Sequence, residues 1–184
     1  MNALAAVVET PLLKLDLGCG PNKKEGFLGV DVRPFDGRVD IVHDLAAAAP
    51  WPWADNSVGE VHCSHFLEHL TQMQRVHFAN ELHRVLVKDG KATIIVPHYA
   101  SERSYGDMTH QWPPVVGMWF YYLDKGWRAG NAPHNDFYTC DFAATWGFSM
   151  HPTLHTRNPE YQQHALTFWK EAAQDMIATL VARK

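Results

Sequence analysis

The chain lacks any block of clustered basic residues; the nearest are the pairs Lys23-Lys24 and Arg183-Lys184. With a formal net charge of -4, it offers no obvious basic face for tight, nonspecific nucleic-acid binding. Cysteine is scarce. Cys19, Cys63 and Cys140 are odd in number and have no CxxC spacing, which argues against a disulfide framework or a zinc ribbon. A reduced, cytoplasmic setting is therefore expected. No apolar run approaches the roughly 18 residues of a membrane span, and the opening MNALAAVVET lacks the charged start of a secretory signal. Internal repeats and low-complexity linkers are also missing, so the 184 residues are expected to fold as one domain.

What is present is an alternation of strand and helix patterns. Apolar or alternating runs predict strands over Leu12–Leu17, Phe27–Val32, Val39–Asp44 and Val58–Ser64. A helix is expected over Thr71–Val87, with Met73, Val76, Ala79, Leu82 and Leu86 on its apolar face and Asp89-Gly90 as its stop. Lys91–Pro97 reads as a fifth strand. Residues 98–137 are rich in His, Trp, Tyr, Pro and Gly and hold a short helix near Val115–Leu123. A strand over Phe142–Met150, a helix over Pro159–Ala173 and a closing strand over Asp175–Arg183 follow, with a helix as the alternative for that last segment. The pattern predicts an α/β, Rossmann-like, doubly wound sheet, mostly parallel, with helices on both faces and an antiparallel end strand. Within the one domain, 12–98 is the expected cofactor-binding half. Residues 99–137 form a lid or substrate segment, and 138–184 supply the end strands and a helix.

In such sheets, ligands lie beyond the carboxyl ends of the strands. The first predicted strand ends in Asp16-Leu17-Gly18-Cys19-Gly20-Pro21. Gly18 and Gly20 allow a sharp turn and a close approach of backbone to ligand. Eleven residues after Gly20, Asp31 ends the second strand, where a carboxylate can accept from both hydroxyls of a ribose. A dinucleotide fingerprint is disfavoured, because Lys23 stands where its third glycine belongs and Asp31 comes too early for its acid. There is no GxxxxGK[ST] phosphate loop either.

LDLGCGPNKKEGFLGVDVRP, DIVHDLAAAAPWPWADNSVGEVHCSHFLEHL and NELHRVLVKDGKATIIVPHY together resemble the class I S-adenosylmethionine-dependent methyltransferases, closest to the small methyltransferase type 11-like group. The resemblance covers about residues 12–99 and implies S-adenosylmethionine as cofactor. It places Asp16, Gly18 and Gly20, with Cys19 between the glycines, at the methionine end. Asp31 would hold the ribose, with Val32 near adenine. Asp44 would accept from the adenine amino group, with Leu45 beside the ring, and Ser64 and His65 would flank the sulfonium. One departure stands out. Only about six residues separate Gly20 from Phe27, so the usual first crossover helix must be reduced to a turn and the cofactor more exposed.

The implied activity is methyl transfer to a small or medium acceptor at oxygen or nitrogen. Nucleic acid remains open as an acceptor, although neither a [DNS]PP[YFW] nor a Pro-Cys motif follows the fourth strand. His65, His98, Asp107 and His110 are the expected catalytic residues, since an imidazole can take a proton from a hydroxyl or amine nucleophile. Glu68 and His69 are further candidates that could equally start a helix. No metal is expected, because neither HxxxH nor HExxH occurs on a helix. The aromatic run Trp112, Trp119, Phe120, Tyr121, Tyr122 and Trp127 reads mainly as core packed in a lid. Two other functions fit the same fold: a non-catalytic S-adenosylmethionine-binding module acting through a partner, and an aminopropyl transferase.

Overall fold

The computed structural model describes residues 11–184; the leading stretch read above for a targeting signal lies outside the described residues. Seven strands form one sheet. In chain order they are β1 (Leu13–Leu17), β2 (Leu28–Asp31), β3 (Ile41–Val42), β4 (Val58–Ser64), β5 (Leu86–Pro97), β6 (Phe142–Met150) and β7 (Ala173–Ala182). Their order across the sheet is β3-β2-β1-β4-β5-β7-β6. β7 runs antiparallel to both β5 and β6, and the pairs from β3 to β5 are parallel. The expected doubly wound sheet with an antiparallel strand near its end is therefore present, and the closing segment is a strand rather than a helix.

The helices are α1 (Gln72–Val85), α2 (Gly117–Tyr121), α3 (Lys125–Asn131) and α4 (Pro159–Phe168). α1 starts in a capping box. Thr71 accepts from the backbone of Gln74, and the Gln74 side chain accepts from Thr71 N–H at 2.9 Å. Its buried face is Arg75, Phe78, Ala79, Glu81, Leu82 and Val85, and Met73 from the expected stripe is 58% exposed. The helix stops at Val85 because Leu86 turns extended and enters β5, which runs on through the Asp89-Gly90 pair expected to separate them. α4 is also shorter than expected. After Phe168 the chain turns through Glu171, at a positive φ of 62°, and begins β7.

The strands explain why helical cover is uneven. Leu15, Val61, Ala92 and Leu180 lie in register on one face, and they join one apolar core with Phe78 and Leu82 of α1 and Phe120 of α2. The next row, Asp16, His62, Thr93, Thr179 and Thr145, points the other way and adds nothing to that core. Strands buried on both faces read as continuous apolar runs, whereas these alternate. β1 and β2 pair in parallel although turns alone connect them, as the short Gly20–Phe27 spacing predicts.

The aromatic run splits. Phe120 is fully buried and stacks on Trp146, and Trp119 packs at the core margin, but Trp112 is 76% exposed. The lid is fastened chiefly by Arg75, only 4% exposed. Its Nε donates to Leu67 O at 3.0 Å, Nη1 to Pro113 O at 2.6 Å and Nη2 to Gln111 O at 3.1 Å. Replacing it leaves the carbonyls of Gln111 and Pro113 unpaired, while Leu67 O keeps only the Leu70 N–H, and hydrogen bonds from a charged donor are the costly ones to lose. Arg75→Met is expected to destabilise the fold by about 3 kcal/mol, lowering Tm by roughly 6–12 °C for a chain of this size. Thermal melting of the variant tests this; an unchanged Tm would show that the lid is held elsewhere.

Candidate functional site

The β1–β2 turn is built at the carboxyl edge of the sheet. Gly18 and Gly20 have positive φ values of 67° and 54°. A Cβ on Gly18 would lie 2.5 Å from the Phe66 ring, so the turn and the end of β4 are in direct contact. A Cβ on Gly20 would meet nothing within 4 Å, and the turn opens there onto free space. Asp31 borders that space. Its Oδ2 accepts from Gly20 N–H at 3.0 Å and its Oδ1 from Arg33 N–H at 3.0 Å. An open cradle beside a carboxylate at the end of β2 fits a ribose-bearing cofactor.

The other residues of the expected cofactor set are spread around this turn. Asp16 is 3% exposed, and both of its oxygens are engaged within the protein. Oδ2 accepts from Lys24 N–H at 2.7 Å, and Oδ1 meets His62 Nδ1 at 2.7 Å. Its evident work is to tie the helix-free turn to β4. The Cys19 thiol is pushed up to about 11 by burial and by Asp16 and Asp31, so it is not a nucleophile at neutral pH. Val32 is 57% exposed beyond β2. Asp44 caps its own turn, accepting from Ala46 N–H at 2.9 Å, and Leu45 is buried in the core.

The end of β4 supplies the second half of the site. Ser64 closes the strand, and His65 follows at a positive φ of 54°, which is strained for a non-glycine residue. Its Nδ1 lies 3.2 Å from Glu68 Oε1, and its Nε2 lies 3.8 Å from Asp175 Oδ1 of β7. The hydrogen bond to Glu68 raises the His65 pKa above the ordinary histidine value, against the opposing effect of burial. Leu67–His69 form a single 3-10 turn, so the reading of Glu68 and His69 as a helix start holds only in that short form.

The lid returns to this turn. Gln111 N–H donates to Glu68 O at 2.7 Å. One ligand atom from each of Glu68, His69 and His110 lies within 4.8 Å of the others. Asp107 does not pair with His110 but accepts from the Thr109 N–H and hydroxyl, both of which hold its carboxyl below the usual range. The structure thus joins His65, Asp107 and His110 through two residues, Glu68 and His69, that a search for helical metal motifs passes over. The adjacent Glu-His at the end of β4 was the available signal.

His98 stands apart from these groups. It is 4% exposed, packs on Tyr99 and Phe148, and its Nδ1 accepts from Ala100 N–H at 3.3 Å. Burial holds its pKa below the ordinary value, so the neutral ring is the folded form at pH 7. The stability this lends is complete above the unfolded value of about 6.5 and is lost as the pH falls toward the folded-state pKa. An NMR titration is expected to place the His98 midpoint below 6.5; a midpoint at or above that value would contradict the packing argument.

A family model described as a methyltransferase domain matches residues 30–94, from β2 into β5. No curated protein matches the chain. Among solved structures, a SAM-dependent methyltransferase from Archaeoglobus fulgidus is similar at 19% identity and a TM-score of 0.66, over 92% of this chain and 86% of that one. An S-adenosylmethionine-dependent methyltransferase from Mesorhizobium loti is similar at 15% identity and a TM-score of 0.56, over 92% and 90% of the two chains. The [4+2]-cyclase SpnF shares the fold at 15% identity and a TM-score of 0.52, over 96% and 77%. The domain match over residues 30–94 and the β3-β2-β1-β4-β5-β7-β6 sheet shared with these solved structures give the chain the fold of class I S-adenosylmethionine-dependent methyltransferases.

Proposed function

We propose that this domain transfers the methyl group of S-adenosylmethionine to an oxygen or nitrogen nucleophile on a small or medium acceptor. One observation carries the reading. The Phe66 ring lies against Gly18 of the cofactor turn, and the residue before it is the strained His65, linked to Glu68. Groups suited to hold the cofactor and groups suited to meet an acceptor therefore share one edge of the sheet.

S-adenosylmethionine supplies a methyl carbon already activated by a sulfonium, so the chain's own task is alignment and exclusion of water. Asp31 accepts from the ribose hydroxyls, and the open backbone at Gly20 lets the cofactor lie against the turn. Val32, Asp44 and Leu45 border the adenine side. Ser64 and His65 stand at the methyl side. With its pKa raised, His65 holds a proton more readily than an ordinary histidine and acts as a donor that orients the acceptor. Asp107 works through Thr109 to position His69, and His110 presents its free ring nitrogen on the same side. His98 backs this wall as a neutral ring.

Two measurements test the proposal. Asp31→Ala should weaken S-adenosylhomocysteine binding at least tenfold by calorimetry, since charge-assisted hydrogen bonds of about 1.5–3 kcal/mol are lost. An unchanged affinity would assign Asp31 to holding the Gly20 turn alone. Incubation of the wild-type protein with S-adenosylmethionine and pooled metabolites and nucleic acids should release S-adenosylhomocysteine in an acceptor-dependent way. Tight cofactor binding with no release on any pool would instead support a binding module that acts through a partner.

A further inference from the structure

We propose that Glu68, His69 and His110 form a binding site for one divalent first-row transition-metal ion, placed to take an acceptor oxygen as a further ligand. The inference rests on the methyl-transfer reading only for that last clause. The ligand atoms lie within 4.8 Å of one another, which allows a single ion to touch all three. Their mixture of two imidazoles and one carboxylate suits borderline cations, and three protein ligands leave a coordination position open.

The hydrogen bonds behind the two imidazoles already select the ligating form. His110 Nδ1 lies 3.0 Å from Ser104 O, which can only accept, so Nδ1 carries the hydrogen and Nε2 keeps its lone pair. Thr109 Oγ1 lies 2.7 Å from Asp107 Oδ1 and 2.9 Å from His69 Nδ1. Asp107 Oδ1 already accepts from Thr109 N–H, and a carboxylate only accepts, so the hydroxyl gives its one hydrogen there. It must then accept from His69 Nδ1–H, which leaves the His69 Nε2 lone pair free. A backbone carbonyl behind one ring and a hydroxyl–carboxylate relay behind the other are the supports that metal-bound histidines use. The rings sit at 4.7 Å between centroids and 76° between planes.

Glu68 gives an independent indication. It is 4% exposed, and its Oε2 has no hydrogen-bond partner. A buried, unpaired carboxylate oxygen is costly unless a cation answers it. Arg75 donates to three backbone carbonyls rather than to this oxygen. The backbone bond from Gln111 to Glu68 fixes the register of lid and turn, so His110 is delivered beside the carboxylate.

A Co2+ titration followed by visible absorption and calorimetry tests the site on the full chain. One ion per chain is expected, with uptake weakened at least tenfold in His69→Ala, His110→Ala and Glu68→Gln. Thr109→Val, which keeps every ligand but loses the relay, should weaken uptake by roughly tenfold as well, and His155→Ala, at an exposed position with no part in the site, should leave it unchanged. Absence of saturable uptake by the folded wild-type protein, or uptake that all three ligand variants retain, overturns the proposal. S-adenosylhomocysteine binding measured on the same samples keeps the readings apart: cofactor binding without Co2+ uptake rejects only the metal site, and Co2+ uptake without cofactor binding rejects only the methyl-transfer reading.

Discussion

The buried guanidinium of Arg75 is the constraint on which the arrangement depends. A single side chain from the first turn of α1 reaches Leu67 O, Gln111 O and Pro113 O. The first carbonyl belongs to the turn after β4 and the other two to the lid, forty residues further on. A cation this deep carries a large desolvation cost and is tolerated because its donors are met and a carboxylate, Glu68, lies near enough to favour its charge. The same Glu68 is joined to His65 and sits beside His69 and His110. One ionic centre thus sets the lid, the turn and the histidines in a common frame.

Around that frame the fold is economical. The link from β1 to β2 has no helix, and Asp16 ties it down through Lys24 N–H and His62. The long link from β3 to β4 is held by Trp51 and Trp53, with Glu81 and Arg84 of α1 bonded to its backbone. Polar side chains do here what packed crossover helices do in fuller versions of such sheets. This explains why short strands with one apolar face suffice.

How much of this was legible depended on range. Gly18, Gly20 and Asp31 are close in sequence, and their spacing alone placed them at one sheet edge. The strands were legible because each is an apolar or an alternating run. α3 was not, since KGWRAGN holds two glycines and little helix propensity. Asp124 caps it at Trp127 N–H, and Arg128 binds the carbonyls of Tyr122, Tyr138 and Cys140. The partner of Asp107 was not legible, because adjacency to His110 says nothing of which hydroxyl turns toward it. The meeting of Glu68 and His69 with His110 spans about forty residues and depends on Arg75, so no local pattern could reveal it.

The place of β7 has a consequence for how the molecule assembles. It lies between β5 and β6, and β6 pairs with nothing else among the described residues. Its register with β5 joins Lys91 to Val181, a closure of ninety residues. Such distant pairings form slowly, because the loop entropy is lost before contacts repay it. Until residues 173–182 dock, β5 keeps an open edge and β6 is an orphan strand, and unpaired edges are templates for pairing with other chains. β7 also carries Asp175, the partner of His65 and Arg103. The step that closes the nascent sheet against self-association is thus also the step that brings a carboxylate to His65.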